Sequence, residues 1–285
     1  MNNKITDIVL ASLVADSYSL GAHWIYSPEE LQNSNLDWDN LNAPLASWHN
    51  PKQKGDFTHY GDQTVCLYEF IKKSNKFDAT NYIRSWKIFM DTYSGYKDGS
   101  TTETIKNLIN NLNIPCGSLS HDLSIIGRIS PLLLVSKDEP TFLRNVNEFV
   151  SLTHDSEEVL EAADFFAKVL WGVLQGESVM QSITNAKVIY SARLQNYVKS
   201  GLTNEKDSIE AINEFGPACS TNGGFQGAIY LLNKYGKDFE TALIQNAKAG
   251  GDSSARGMIV AMIMVAAYGN DIIPQKWVNQ MKYEI

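Results

Sequence analysis

Cysteine is scarce in this sequence, and its spacing excludes several kinds of protein. Only three cysteines occur in 285 residues, Cys66, Cys116 and Cys219, and they stand far apart with no Cys-x-x-Cys pair. A disulfide-stabilised small domain and a cysteine-rich zinc module are therefore excluded. Each thiol is expected to be a small buried side chain in a reducing compartment.

Basic charge and long apolar runs are also in short supply. Lysine and arginine number 24 against 32 acidic residues, for a formal net charge of −8, so we expect neither nucleic acid nor an anionic membrane as a partner. Asp16 interrupts the first apolar stretch, which lacks a signal-peptide pattern. The longest apolar run, from Met258 to Tyr268, is shorter than the roughly 20 residues that span a bilayer. A cytoplasmic protein is expected.

Strand patterns are nearly absent, whereas helical periodicity and capping signals recur along the chain. Asp78, Ser100 and Asp155 each precede a periodic apolar pattern in the manner of a helix N-cap. Gly236 is typical of a C-cap and Pro274 of a first helical position. We predict an all-α fold, a single globular helix bundle over residues 1–285. Helices are expected near 5–20, 140–150 and 159–175, then near 177–192, 206–214, 223–235, 238–248, 255–268 and 274–282.

Two acidic motifs stand at predicted helix starts. Gly250-Gly251-Asp252-Ser253-Ser254 precedes the Met258–Tyr268 run, which as a helix would be buried on all sides. Gly61-Asp62-Gln63-Thr64 precedes another helix and follows residues 27–60, an aromatic, loop-rich segment expected to cover a site. Asp62 and Asp252 are predicted to lie in one cleft, within about 10 Å of each other. They could hold a hard cation or the hydroxyls of a ribose, and the spacing leaves both alternatives open.

Several motifs together resemble the ADP-ribosylglycohydrolase family of the dinitrogenase-reductase-activating type, and within it the J1-crystallin-like branch. They follow one another in the family's order over almost the whole chain. The matching segments are Ala15-Asp16 with Leu20-Gly21-Ala22, His23-Trp24-Ile25-Tyr26, Gly61-Asp62-Gln63-Thr64, Gly127-Arg128-Ile129-Ser130-Pro131-Leu132, Thr153-His154, Gly250-Gly251-Asp252 and Ala267-Tyr268-Gly269.

The resemblance implies an all-α protein that uses two magnesium ions to cleave a glycosidic bond of an ADP-ribosyl group. The family's front motif is Ser/Thr-Asp-Asp and its back motif is Asp-x-Asp-Thr. Only Asp62 and Asp252 keep a carboxylate at these ligand positions. Gln63 and Ser254 offer only neutral oxygens, and Gly61 and Ala255 offer no side-chain oxygen. We therefore expect at most one weakly bound Mg²⁺, held by Asp62 and Asp252, and no nucleotide cofactor.

Two functions remain open from the sequence. The first is a hydrolase that cleaves a glycosidic bond of an ADP-ribosyl or related ribosyl conjugate, with Asp62 and Asp252 as catalytic residues. The second is an inactive binding or structural relative that keeps the fold. Partners would be a small molecule or an ADP-ribosylated substrate. Arg256 could replace a lost metal charge, bind phosphate or form a structural ion pair. The candidate substrate-binding residues are His23, Tyr26, His59, Gln63, Arg128, His154, Asn222, Ser253, Ser254 and Arg256.

Overall fold

The all-α prediction is confirmed by the computed structural model, which describes residues 2–110 and 114–285. No strand forms in these residues, and only two isolated bridges occur, between Ser118 and His154 and between Asp122 and Ser220. Four 3-10 turns cover Ser47–His49, Leu123–Arg128, Ser130–Val135 and Asn270–Ile272. The α-helices are α1 Asn2–Ser19, α2 Pro28–Gln32, α3 His59–Ser74, α4 Ala79–Thr92, α5 Gly99–Ile109, α6 Glu139–Ser151, α7 Glu157–Leu174, α8 Val179–Lys187, α9 Ala192–Thr203, α10 Ser208–Phe215, α11 Thr221–Tyr235, α12 Phe239–Lys248, α13 Ser253–Tyr268 and α14 Gln275–Val278.

Helix α13 is the centre of the bundle, as its apolar run predicts. All of its residues from Ser253 through Ala266 are buried, because α1, α7, α11, α12 and the Leu123–Arg128 turn pack around it. Gly127 permits a close approach of the Leu123–Arg128 turn, since a Cβ there would lie 2.6 Å from the Cβ of Met258. Burial on every side removes this helix from water and directs only its N-terminal end toward polar groups.

Two predicted caps are confirmed and two are wrong by one or two residues. Asp78 caps α4 through Asn81, and Gly236 is the C-cap of α11. Helix α5 is capped by Asp98 rather than by Ser100, and α7 is capped by Ser156 rather than by Asp155. Adjacent acidic and hydroxyl residues satisfy the same capping rule, so the packing of the preceding loop selects between them.

The remaining differences concern short or weakly periodic segments. Helix α9 was not predicted, because only Leu194, Val198 and Gly201 are buried along its length. The final helix ends at Val278, earlier than the expected 282. The segment 27–60, predicted to be irregular, contains the short helix α2 and the Ser47–His49 turn. In the described residues no helix combines the length and the hydropathy required to cross a bilayer.

Candidate functional site

The N-terminal end of α13 is built from tightly packed backbone. Gly250 and Gly251 have φ angles of 73° and 65°, and a Cβ on Gly251 would lie 2.1 Å from the carbonyl oxygen of Pro217. The backbone N–H of Asp252 donates to that same oxygen at 2.8 Å. The Asp252 carboxylate then caps α13 by accepting from the N–H of Ala255 at 3.1 Å. Glycine is required here because the chain turns through the left-handed region against another backbone.

Asp252 meets a second carboxylate and a thiol that come from other parts of the chain. Oxygens of Asp122 and Asp252 and the Sγ of Cys219 all lie within 4.8 Å of one another. Backbone bonds hold the three residues in place: the N–H of Leu123 donates to the carbonyl of Cys219 at 2.8 Å, and Asp252 is bound to Pro217. The cluster is therefore fixed by main-chain geometry and does not depend on side-chain rotamers alone.

Burial dominates the electrostatics of this cluster. Burial, and then the charge of Asp252, raises the pKa of Asp122 to about 7, and burial also raises the pKa of Asp252. Burial followed by the two carboxylate charges raises the pKa of the Cys219 thiol. Two buried acids this close favour sharing a proton or a cation over ionising together. Tyr60 adds a donor, its hydroxyl lying 3.2 Å from Asp252 Oδ2.

Arg256 binds the backbone segments that position Asp252. Its guanidinium is buried and donates to Asn246 Oδ1 at 2.9 Å, to the carbonyl of Pro217 at 2.9 Å and to the carbonyl of Gly250 at 2.6 Å. Burial lowers the pKa of Arg256 to about 10, so it stays protonated at neutral pH. The sequence allows Arg256 to replace a metal charge, to bind phosphate or to serve a structural role. The observed contacts fit the structural role, because the guanidinium binds the carbonyls of Pro217 and Gly250, which position Asp252.

Asp16 joins the starts of α3 and α13. Its carboxylate accepts from the N–H and hydroxyl of Thr58, at 2.8 and 2.6 Å, and from the hydroxyl of Ser254. Gly61 makes room for it, since a Cβ there would lie 2.3 Å from Asp16 Oδ2. Burial raises the pKa of Asp16 to about 6, although its hydrogen bonds oppose that shift and the charge of Asp62 adds to it.

Asp62 lies in the first turn of α3 with partners of its own. Lys52 Nζ and the Tyr93 hydroxyl both lie 2.5 Å from Asp62 Oδ2. All three residues line a cavity of about 300 Å³. Among the described residues, Asp62 and Asp252 have no hydrogen-bonding partner in common. The two aspartates predicted to form one site therefore stand in different local environments, with Asp16 contacting residues of both helix starts.

The other motif residues at these helix starts are also engaged. Gln63 Oε1 accepts from Trp86 Nε1 at 3.0 Å. Ser254 donates to Asp16, and its N–H lies 3.4 Å from His23 Nδ1. The Ser253 carbonyl accepts from Asn246 at 2.6 Å, whereas its hydroxyl is buried with no hydrogen-bond partner in the described chain.

Histidines and aromatic rings pack beside Asp252. His23 Nδ1 lies 3.6 Å from Asp252 Oδ1, and its ring lies 4.8 Å from Trp24 and 5.0 Å from His49. Burial lowers the pKa of His23 well below its usual value. Trp24 has a φ of 65°, a strained conformation for a bulky residue. His59 packs on Tyr60 at 4.1 Å.

Arg128 and His154 belong to an adjoining buried layer. Arg128 lies 4.9 Å above the Tyr60 ring and donates to Ser124 Oγ at 2.7 Å. His154 Nδ1 is 2.9 Å from Thr153 Oγ1, and burial lowers the pKa of His154 to about 3. His59 Nε2 lies 3.2 Å from Asp98 Oδ2. Burial alone would raise the pKa of Asp98, but its contact with His59 and the charge of Arg128 hold that pKa well below its usual range.

Tyr26 and Asn222 occupy the most exposed positions among the candidates. Tyr26 is 50% exposed, and its pKa is raised to about 12 by burial and then by the charge of Asp252. Asn222 lies in the first turn of α11, accepts from Gln226 at 2.7 Å and lines a different cavity of about 790 Å³. The charge of Asp252 thus acts on Tyr26, whereas Asn222 lies at a different cavity.

The sequence did not identify four residues that contact or lie beside the predicted site residues, namely Asp122, Cys219, Asp98 and Lys52. Asp122 precedes an apolar stretch like many loop acids, and Cys219 was expected to be a small buried side chain. The Asp122–Ser220 bridge that aligns them links positions almost 100 residues apart, so no local periodicity marks the pair. Asp16 was part of the family pattern, but its contacts to both helix starts were not predicted.

Comparison with known proteins places these observations in a family. Crystallin J1B and crystallin J1A of Tripedalia cystophora are 23% and 22% identical to this chain, and each match covers 95% of it and 90% of the relative. An uncharacterized protein of Archaeoglobus fulgidus is 23% identical, over 99% of this chain and 92% of its own.

A solved structure and a family model agree with these relatives. An "ADP-ribosylglycohydrolase-related protein complex" superposes with a TM-score of 0.78 at 18% identity, covering 98% of this chain and 92% of the other, which supports the fold alone. The sequence model of ADP-ribosylglycohydrolase matches residues 1–284. With the all-α bundle and the order of its motifs, this match shows that the chain belongs to the ADP-ribosylglycohydrolase family.

Proposed function

We propose that this protein is a hydrolase that cleaves a glycosidic bond of an ADP-ribosyl or related ribosyl conjugate at the N-terminal end of α13. The observation that carries the proposal is the pair of buried carboxylates, Asp122 and Asp252, whose oxygens lie within 4.8 Å. Glycoside hydrolysis commonly uses two carboxyl groups on either side of the bond that breaks. Family membership supports the reaction class, and this pair supports the place.

The reaction assigns a task to each member of the pair. Water forms the new bond to the anomeric carbon, the bond to the leaving group breaks, and the proton from water ends on the leaving group. One carboxylate orients the water or the ribose hydroxyls, and the other carboxyl donates the proton. Tyr60, which donates to Asp252, holds that carboxylate in place, and the half-exposed Tyr26 is proposed to contact the substrate.

We also propose that the family's two-magnesium centre is degenerate in this chain. Magnesium needs several negative oxygen ligands to offset the loss of its water. Asp62 is instead paired with Lys52 and Tyr93, Gln63 accepts from Trp86, and Ser254 donates to Asp16. The side chains of Gly61 and Ala255 have no oxygen that could bind a metal ion. These residues do not fit two ions, so at most one ion binds, weakly, and no step of the reaction is routed through magnesium.

The predicted partners remain part of this proposal. The net charge of −8 favours a small-molecule or ADP-ribosylated substrate over nucleic acid or an anionic membrane, with no nucleotide cofactor. We also propose a cytoplasmic location, because Cys66, Cys116 and Cys219 are free thiols, as is usual in a reducing compartment.

A non-catalytic role is the second candidate. The Lys52–Asp62 pair favours it, because an internal ammonium group neutralises a carboxylate that the family uses as a ligand. The names of the Tripedalia relatives, crystallins, point the same way. In this alternative the Asp122–Asp252 pair would bind a ribosyl ligand without turning it over.

The test is hydrolysis of a substrate panel by the full-length protein. The panel contains ADP-ribosyl-arginine, ADP-ribosyl-serine and simple ribosides, with release of ADP-ribose or ribose as the readout. We expect turnover of at least one member, lowered at least about 100-fold by Asp122→Asn and by Asp252→Asn. Asp138→Asn is the matched control, because Asp138 is also a helix N-cap but is exposed. Turnover that survives both pair variants would refute the proposed site, and binding without turnover would favour the second candidate.

A further inference from the structure

The Asp122–Cys219–Asp252 cluster adds a sulfur and a second carboxylate to Asp252, and neither Asp122 nor Cys219 stands at one of the family's metal-ligand positions. It combines two carboxylate oxygens with one sulfur inside 4.8 Å. Asp122 and Asp252 are buried, whereas Cys219 is only half-buried. A tetrahedral zinc-type site with these ligands places neighbouring donor atoms about 3.3–3.8 Å apart. Small side-chain rotations would therefore bring all three atoms into contact with one ion.

The two carboxylates of the cluster are close enough to share one positive charge. The Asp252 carboxylate accepts from the Tyr60 hydroxyl and the Ala255 N–H, and His23 Nδ1 lies 3.6 Å away. Burial raises the pKa of Asp252 and the charge of Arg256 opposes that shift, although the guanidinium directs its hydrogen bonds to other groups. Two buried acids this close favour sharing a proton or a cation over ionising together. A divalent ion at this point would take the place of the shared proton.

Three segments of backbone preorganise the donors. The 217–221 segment bonds to the 121–123 segment through Leu123 and Thr221, and to the α13 start through Asp252. Sites held this way lose little entropy when a ligand binds, and ligand positions fixed by rigid elements are the most precise. The three donors do not depend on the residues that contact Asp62.

We infer that Asp122, Cys219 and Asp252 form a binding site for one borderline-soft divalent transition-metal ion of the zinc or cobalt(II) class. Sulfur in the donor set disfavours magnesium and calcium, which prefer oxygen ligands, and favours zinc-like ions. On binding, the Cys219 thiol becomes a thiolate and its proton passes to solvent. Three protein donors leave a fourth position for water, as in catalytic zinc sites. The inference extends beyond the proposed function, because an ion bound to both carboxylates would prevent the proton transfer proposed for them, so the metal-loaded protein should be the inactive form.

The experiment is titration of the reduced, chelator-treated full-length protein with cobalt(II). We expect one equivalent to bind and to produce a thiolate-to-cobalt charge-transfer absorption in the near ultraviolet. Cys219→Ser should abolish that absorption. Asp122→Asn, whose amide oxygen can still cap Ser124 N–H, should weaken binding at least about 10-fold, since even outer-sphere changes cost that much. Cys66→Ser is the matched control, because Cys66 lies outside the cluster, and it should leave the absorption unchanged.

The results separate the metal site from the proposed function. An absorption that persists in Cys219→Ser, or no absorption with saturating cobalt in the reduced wild-type protein, would overturn the inference. Circular dichroism identifies a variant that has failed to fold, and in that case the Asp122→Asn titration decides. Cobalt binding together with no turnover by the chelator-treated, metal-free protein would leave the metal site standing and count against the hydrolase.

Discussion

Replacing Arg256 should destabilise the whole bundle, because its guanidinium connects two backbone carbonyls and the side chain of Asn246. Arg256→Met keeps the length of the side chain and removes three donors, those to Asn246, Pro217 and Gly250. The Asn246 and Gly250 oxygens then remain inside the protein without these partners, at a cost of about 1–3 kcal/mol each, whereas the Pro217 carbonyl keeps the N–H of Asp252. Neighbouring losses are not additive, so we expect the free energy of unfolding to fall by about 3–5 kcal/mol, the range for breaking a buried charged contact.

Urea denaturation followed by circular dichroism measures this change. At about 2–4 °C per kcal/mol for a chain of this size class, the melting temperature should fall by about 10 °C. Arg193→Met is the matched control, because Arg193 is half-exposed and its pair with Glu161 lies at the surface, where ion pairs contribute about 0–1 kcal/mol. Arg256→Lys should recover little of the loss, because an ammonium cannot span the fork-shaped set of acceptors.

The same variants separate a structural Arg256 from a substrate-binding one. A loss below about 1 kcal/mol in Arg256→Met, accompanied by a large rise in KM for any substrate that is found, would refute the structural reasoning. An equal loss of unfolding free energy in Arg256→Met and Arg193→Met would also refute it, since the buried and the exposed arginine would then contribute the same stability.

Two further predictions concern metal and pH. Isothermal titration with Mg²⁺ should show at most one weak site. Lys52→Met should strengthen Mg²⁺ binding, because the substitution frees Asp62 from its ammonium partner. Two tight sites in the unmodified protein would contradict the proposal that the two-magnesium centre is degenerate. Burial, and then the charge of His59, lowers the pKa of His49 to about 4, so the stability that depends on neutral His49 is fully present above pH 6.5 and is lost as the pH falls toward 4. The difference in unfolding free energy between wild type and His49→Phe should therefore shift by about 3 kcal/mol, in favour of the variant, between pH 7 and pH 4, and a difference independent of pH would contradict that assignment.

The central helix and the fold class could be predicted from the sequence because both follow from local rules. Eleven successive apolar residues from Met258 leave no face for water, so burial of α13 follows from the hydrophobic effect alone. Asp78 and Gly236 are recognised by the same local chemistry that makes them caps. Where two capping residues stand close together, as Asp155 and Ser156 do, the local rule cannot choose and the packing of the loop decides.

The composition of the site was decided by tertiary structure. Asp252 was predicted as a site residue because it stands beside two glycines at a helix start. Its partners are Asp122 and Cys219, because backbone bonds between distant segments place them there. Asp62, with an equally good local pattern, is instead paired with Lys52 and Tyr93. A motif specifies which side chains stand at a helix start. Burial and long-range contacts determine which of those side chains are already paired, as Asp62 is with Lys52 and Tyr93. The spacing of residues along the chain specifies neither the burial nor the long-range contacts.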